Sequence, residues 1–440
     1  MKSVVYYNLY DNFTEQELKH MKRMELGQGV YLTYLPSDQF KTGFLSAQFV
    51  TPLRRETAAC HALIPAVMRR GTARYPDMQR LSSALDLLYG ARVEYTVRKK
   101  GENQCVGFVS SFIDDAFTPG GEKLIEPVAE LIGEMILSPA TKNGRFLTSY
   151  VEGEKENLKD AIRGIVNDKR DYADRRLLQE MCADEPYGVS RLGEEKDVDR
   201  ISPARIESCC RSLISSSRLE LFYIGSASLE RVRLAIEEAF ASLPRSDVKA
   251  PAETTVRPAP AEPRYVTEEM DVTQGKLAMG FRCGSDDMPA MLMANALFGG
   301  TSNSKLFLNV REKLSLCYFA TSQYHRGKQL MTVSSGIETK NYQKAYDEIM
   351  AQLRAVQEGQ VEDWELPGAR STLVNAFRTM KDSQGRLEDF YLGQAATAQA
   401  ETPADLIAEI EQVTMDRIVA AAAQIQLDTV YFLKGKEDMA

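Results

Sequence analysis

Ala58-Ala59-Cys60-His61-Ala62-Leu63-Ile64-Pro65-Ala66-Val67-Met68-Arg69-Arg70-Gly71-Thr72, continued by Ala73-Arg74-Tyr75-Pro76, is a run of small and aliphatic residues that ends in glycine and proline turns. Its apolar content predicts a buried helix, with Leu63, Val67 and Met68 facing a core. Between 58 and 72 there is one histidine, His61, and no carboxylate. A methyl group has no lone pair for a metal ion, and no Asp or Glu in the stretch can take a proton.

The frame of this stretch resembles the active helix of the insulinase, pitrilysin and mitochondrial-processing-peptidase family of zinc peptidases. There an H-x-x-E-H helix leads into a Gly-Thr and a Tyr-Pro turn; the two His bind zinc and the Glu activates the metal-bound water. Counted back from Gly71-Thr72, the resemblance puts His, Glu and His on Ala62, Pro65 and Ala66. Sliding the frame by one recovers only His61 and sets Ile64 and Pro65 at the other positions. The family's third ligand is a Glu in a later run resembling E-x6-E-I. The matching run is Glu154-Lys155-Glu156-Asn157-Leu158-Lys159-Asp160-Ala161-Ile162, so Ala161 fills the ligand slot. Asp160 is adjacent, but one residue turns a helix by about 100°. Catalytic zinc uses three protein ligands and an open position. The resemblance therefore implies a chain that keeps the frame of the catalytic helix, with no catalytic residue, metal or other cofactor of its own.

Composition narrows the classes further. A chain of 440 residues and 49.3 kDa exceeds one average core and calls for two or more domains. Hydrophobic residues at 44% and charged residues at 26% describe a globular protein. A net charge of −8 and a pI near 5.3 argue against nucleic acid or an anionic membrane as partner. No apolar run approaches the roughly 18 residues that span a bilayer. The start, Met1-Lys2-Ser3-Val4-Val5-Tyr6-Tyr7-Asn8, turns polar too soon for a secretion signal. The seven cysteines, at 60, 105, 182, 209, 210, 283 and 317, make no C-x-x-C pair. That pattern reads as reduced thiols in a cytoplasm. Only His20, His61 and His325 are available for a histidine-based metal site.

Three short matches recur in the same order in both halves. Val109–Asp114 pairs with Val333–Glu338 at an offset of 333 − 109 = 224. Val198–Ile206 pairs with Ile410–Ile418, at 410 − 198 = 212, and Leu219–Gly225 with Thr429–Gly435, at 429 − 219 = 210. Shared order and similar spacing indicate a duplicated domain. Strands are predicted at Val109–Ile113 and Met331–Ile337. Helices follow through Leu124, Val128, Leu131, Ile132 and Met135, and from Tyr342 to Val356 with Ala345, Ile349, Leu353 and Val356 as the apolar face. Ser202, with Pro203 behind it, and Thr414 stand where helix N-caps belong. Strands Leu219–Ile224 and Val430–Leu433 end each domain's sheet.

The predicted fold class is α+β: two duplicated domains, each a mostly antiparallel sheet with helices on one face, closing around a cavity. The proline-rich segment at 249–265, with Pro251, Pro258, Pro260 and Pro263, reads as a stiff linker. It separates an N-terminal domain at 1–248, lacking zinc ligands, from a C-terminal domain at 266–440. The clusters Arg98-Lys99-Lys100 and Glu194-Glu195-Lys196-Asp197 read as solvated loops or strand ends.

The second half holds Gly299-Gly300-Thr301-Ser302-Asn303-Ser304-Lys305-Leu306-Phe307-Leu308-Asn309-Val310-Arg311-Glu312-Lys313-Leu314-Ser315-Leu316-Cys317-Tyr318. It resembles the same family's non-catalytic domain, whose pattern is close to G-G-x-x-S-x-L-F-x-x-V-R-E-K-x-G-L-A-Y. The resemblance implies that Arg311 and Tyr318 hold substrate backbone, since guanidinium and phenol both donate to peptide carbonyls. Gly299 and Gly300 would let the loop pass close to bound peptide. Ser315 replaces the pattern's Gly, so this turn is not expected to need positive φ. The structural alternative makes Arg311 an ion pair near a helix C-terminus and Tyr318 a core residue.

Three functional readings follow. In the first, the chain is the zinc-free subunit of a heterodimeric zinc metalloendopeptidase, inactive alone. It would hold extended peptide or unfolded protein in a chamber shared with a zinc-carrying homologue. The resemblance is nearest to inactive partner subunits associated with aminopentanol modification of elongation factor P. The second is a structural or assembly scaffold with no part in proteolysis. The third is a self-sufficient enzyme built on His325, Asp286, Asp287 or Cys283. Against it, the two Asp read as a solvated loop, His325 as a hairpin residue and Cys317 as a core thiol.

Overall fold

The computed structural model describes residues 21–435. Met1–Asn8 and His20 lie outside the described residues. The chain forms two compact units. Unit one holds the chain up to Arg163 together with Val189–Glu253 and Gln384–Ala400; unit two holds Gly164–Gly188, Thr254–Ser383 and the chain from Glu401.

Unit one is built on strands β1 (Lys22–Gly27), β2 (Val30–Pro36), β3 (Thr42–Pro52), β4 (Arg92–Lys100), β5 (Asn103–Ile113) and, beyond the small hairpin β6 (Thr141–Lys142) and β7 (Arg145–Phe146), β8 (Arg218–Gly225). They form a six-stranded sheet in the order β1-β2-β8-β3-β5-β4. Its helices are α1 (Arg55–Met68), α2 (Met78–Leu87), α3 (Ile125–Leu137) and α4 (Thr148–Gly164), then, after α5 (Lys169–Met181) of unit two, α6 (Glu195–Asp199), α7 (Pro203–Ser216) and α8 (Leu229–Ala239). Alternation along β3 decides the layers: Leu45, Ala47 and Phe49 enter the main core with α1, α3 and α7, whereas Ser46 and Gln48 face the other way.

Unit two contains α5 (Lys169–Met181), β9 (Arg264–Met270), β10 (Gly275–Cys283), α9 (Met288–Asn295), β11 (Cys317–His325), β12 (Leu330–Ile337), α10 (Tyr342–Gln357), α11 (Glu365–Arg378), α13 (Pro403–Gln412), α14 (Met415–Ala422) and β13 (Ile425–Gly435). Its sheet order is β11-β12-β10-β13-β9. Read from β9, this reproduces β2-β8-β3-β5-β4 strand for strand. β2 and β9 run parallel to β8 and β13, and every other pair is antiparallel. The predicted duplication and α+β class are thus present. The buried residues of α10 are Ala345, Ile349, Leu353 and Val356, the predicted face. Ser202 and Thr414 accept the N–H groups of Arg205 and Arg417 as N-caps. The strands last in each repeat, β8 and β13, lie inside their sheets and not at their edges.

Two segments depart from contiguous halves. α5, from the first repeat, packs in unit two, and α12 (Gln384–Thr397), from the second, packs in unit one. Their offset, 384 − 169 = 215, matches the repeat. Each lies on the sheet face turned away from the other helices, so the sheets are covered on both faces. α5 buries Ala173 and Leu177 against Ala278, Tyr431 and Leu433. α12 brings Glu388 to Ser46 at 2.7 Å and to both terminal nitrogens of Arg98, at 2.6 and 2.7 Å. Arg98 was expected in solvent; it sits on β4 in a largely buried ion pair instead. The proline-rich segment has no helix or strand before Arg264. Its first part is tied to unit one, where Ala252 exchanges two hydrogen bonds with Asn103 at 2.7 and 2.9 Å. Among the described residues no helix is long and apolar enough to cross a membrane.

Candidate functional site

α1 carries the first set of positions. Every residue from Ala58 to Met68 is buried, including Ala62, Pro65 and Ala66. Such a helix can be apolar all round because other elements cover it. Pro65 lies inside it and withdraws the N–H that would bond to the carbonyl of His61. His61 is 6% exposed, and its Nδ1 lies 3.2 Å from Gln104 Oε1. The Gln104 amide nitrogen already donates to the carbonyls of Ala58 at 2.9 Å and Arg191 at 2.6 Å. Its oxygen therefore accepts, and His61 carries its proton on Nδ1. Burial lowers the imidazole to about 4, against a partial rise from the Gln104 bond.

Ala161, at the third-ligand position, is exposed on α4. The Glu that opens the same run, Glu154, is buried and pairs with Arg70 at 3.2 Å, and the Arg70 guanidinium lies over the Tyr150 ring. These side chains do not fit zinc: three methyl groups stand at the ligand positions, a proline ring at that of the base, and the nearby histidine is bound to an amide. Among the described residues, no group of three or more His, Cys, Asp or Glu is placed to hold a metal ion.

The second set lies in unit two, on two π-helical segments, Ala296–Gly300 and Leu306–Lys313. The wider turn is sealed by Leu314 N–H donating to the Asn309 carbonyl and Leu316 N–H to that of Val310. Leu306 and Val310 anchor the segment inward, which turns Arg311 outward. Its guanidinium rests 4.7 Å from the centre of the Phe307 ring and pairs with Glu312 at 3.5 Å. Tyr318 is the second residue of the edge strand β11, is 77% exposed, and its hydroxyl has no hydrogen-bond partner among the described residues. The core alternative for Tyr318 is thereby overturned. Ser315 has φ of +50°, contrary to the expectation that a serine there avoids positive φ. The compact turn between the π segment and β11 imposes this conformation whatever the residue.

The glycines have causes within the unit. A Cβ on Gly299 would meet the Ser322 nitrogen at 2.7 Å and Leu306 Cδ1 at 2.6 Å; one on Gly300 would meet Asn295 Nδ2 at 2.5 Å. The residues weighed for an independent enzyme are dispersed in structural work. Asp287 caps α9 and holds Arg417 bidentately at 2.8 Å, so it is not a solvated loop residue. His325 closes β11 between Thr332 Oγ1 and the Tyr187 hydroxyl. Burial pushes Cys283 up to about 12. Sequence reading missed Gln104 and Phe307. The i,i+4 spacing of Phe307 and Arg311 could have shown the second; nothing local pairs residue 104 with residue 61.

Comparison with known proteins agrees with this arrangement. The model of the "Peptidase M16 inactive domain" matches residues 200–373. "Probable inactive metalloprotease YmfF" of Bacillus subtilis (strain 168) is 36% identical over 414 residues, covering 93% of this chain and 96% of that protein. "Uncharacterized zinc protease YmxG" of the same organism is 18% identical over 72% of this chain and 78% of its own length. The crystal structure of a conserved protein from Enterococcus faecalis V583 superposes with a TM-score of 0.86 at 25% identity, covering 99% and 100% of the two chains. With its duplicated α+β units and a zinc helix stripped of ligands, this chain belongs to the peptidase M16 family, as an inactive, metalloprotease-like member.

Proposed function

We propose that this protein is the zinc-free subunit of a heterodimeric peptidase. A zinc-carrying homologue would supply ligands and general base, and this chain would hold extended peptide substrate through Arg311 and Tyr318. The observation that carries the reading is Tyr318: a phenol 77% exposed, its hydroxyl unclaimed among the described residues, on a sheet-edge strand beside a motif that also turns an arginine outward. A large side chain with no packing or hydrogen-bond duty has little reason within the fold to be tyrosine. Chemistry favours peptide backbone as ligand, because both groups donate to carbonyl oxygens whatever the sequence. Seven free cysteines are in keeping with a reducing cytoplasm.

The test is reconstitution with the zinc-carrying homologue from the same cell. Arg311→Ala and Tyr318→Phe should each raise KM for an unstructured peptide by about tenfold or less, the scale of one lost hydrogen bond of about 1 kcal/mol. Assembly should be unchanged. A scaffold without substrate contact is the second reading, favoured by the internal packing of Gly299 and Gly300 and by the Arg311–Glu312 pair. Wild-type kinetics in the Arg311→Ala, Tyr318→Phe double variant would select it and reject the first.

A further inference from the structure

Cys60 lies on α1 and Cys209 on α7, two helices packed directly on each other. The Cys60 sulfur is 3.9 Å from the carbonyl oxygen of Arg205. In a helix that carbonyl accepts the N–H of residue 209, so this contact sets Cys60 over the turn that presents Cys209. The Cys60 thiol donates to that carbonyl, so the two cysteine side chains are neighbours across the α1–α7 contact. Cys60 is buried, whereas Cys209 is partly open to solvent.

From this geometry we propose that Cys60 and Cys209 are a dithiol site, oxidised by a hydroperoxide to a disulfide that staples α1 to α7. The Cys209 thiolate attacks one peroxide oxygen; an S–O bond forms, the O–O bond breaks, and the leaving oxygen departs as water or alcohol after taking a proton. Cys60 sulfur then attacks the Cys209 sulfenic acid. The S–S bond forms, the S–O bond breaks, and hydroxide leaves with the Cys60 proton as water. Two thiols lose two electrons and the peroxide gains them.

The division of roles has a physical basis. Interaction with the neighbouring Cys60 thiol, followed by the charge of Arg205, outweighs desolvation and holds Cys209 below the usual thiol range. Cys60, as donor and buried, is pushed up and stays a thiol until its partner is oxidised. Neighbouring Cys210 is pushed up to about 12, chiefly by burial. Cys209 is thus the attacking sulfur and Cys60 the resolving one. A Cys209–Cys210 bridge is disfavoured, since adjacent helical residues cannot reach disulfide geometry without backbone strain.

The experiment treats reduced full-length protein with a few equivalents of hydrogen peroxide, blocks remaining thiols, and maps peptides without reductant. The expected product joins the peptides of Cys60 and Cys209, is two hydrogens lighter than their sum, and disappears on reduction. In Cys60→Ser, Cys209 should instead accumulate sulfenic acid that a dione reagent traps. Because a serine in α1 can unsettle folding, wild-type alkylation rates at pH 7 give a second reading, with Cys209 at least about tenfold faster than Cys210. Absence of the Cys60–Cys209 peptide pair, or Cys209 alkylation no faster than Cys210, would overturn the proposal.

Discussion

His61 is the one histidine of α1, and its role is structural. It is buried, neutral and donates to Gln104. Its pKa falls from 6.5 to about 4 on folding. Between those values the unfolded chain binds the extra proton, so stability is full above pH 6.5 and falls as pH drops toward 4. The loss should reach about 3 kcal/mol. Urea unfolding at pH 7 and pH 4.5 should show it in wild type, and His61→Gln should be flatter over that range by most of this amount. Equal slopes in the two proteins would contradict the assignment. Ser315 makes a separate prediction. At φ +50° glycine is free of the Cβ penalty, so Ser315→Gly should be neutral or stabilising by about 0.5 kcal/mol, and Ser315→Val should cost about 1 kcal/mol or more. Thermal melts of both variants check the opposite signs. That 62, 66 and 161 hold no ligand and 65 no base was legible from single letters, because chemistry missing from a side chain is missing in any conformation. The backbone of Ser315 was not, since φ there is set by the turn and not by the residue.

At the scale of elements, hydrophobic spacing found α10 and its four inward residues, and recurrence found β5, β8, β12 and β13. It did not find where α5 and α12 dock. Both helices present a face to a sheet far away in sequence, and α12 does so partly through charge. Glu388 is 1% exposed and meets Arg98 with two bonds. In unit two, Arg282 plays a comparable part, donating to Glu185 at 2.6 Å and to the Met181 carbonyl at 2.9 Å, at the end of α5. Each exchanged helix is therefore fixed by an arginine on a strand. No periodicity announces such a pair, and a basic run like Arg98-Lys99-Lys100 reads as surface until its partner is known. Removing one member leaves the other charge buried, which costs about 3 kcal/mol or more. Glu388→Gln should therefore lower the unfolding free energy by about that much, and the Arg98→Met, Glu388→Leu double variant should recover a substantial part of it. A loss below about 1 kcal/mol in Glu388→Gln, measured by denaturant titration, would show that the pair does not hold α12.

For the whole molecule, one strand order occurs twice with the same parallel and antiparallel senses, so the architecture is a duplication. The N-terminal repeat has methyl groups and a proline at the ligand and base positions; the C-terminal repeat keeps an outward arginine and an exposed tyrosine. Because Arg311 and Tyr318 carry little packing, Arg311→Ala and Tyr318→Phe should each shift stability by less than about 0.5 kcal/mol. Any effect on peptide turnover in a reconstituted complex then belongs to substrate contact. The most direct measurement is zinc content and peptide cleavage of the purified chain, alone and after addition of a zinc-carrying homologue as the proposed partner. Substoichiometric zinc and no cleavage are expected for the chain alone, with chelator-sensitive cleavage appearing only in the mixture. One zinc per isolated chain, together with cleavage that a chelator stops, would contradict it.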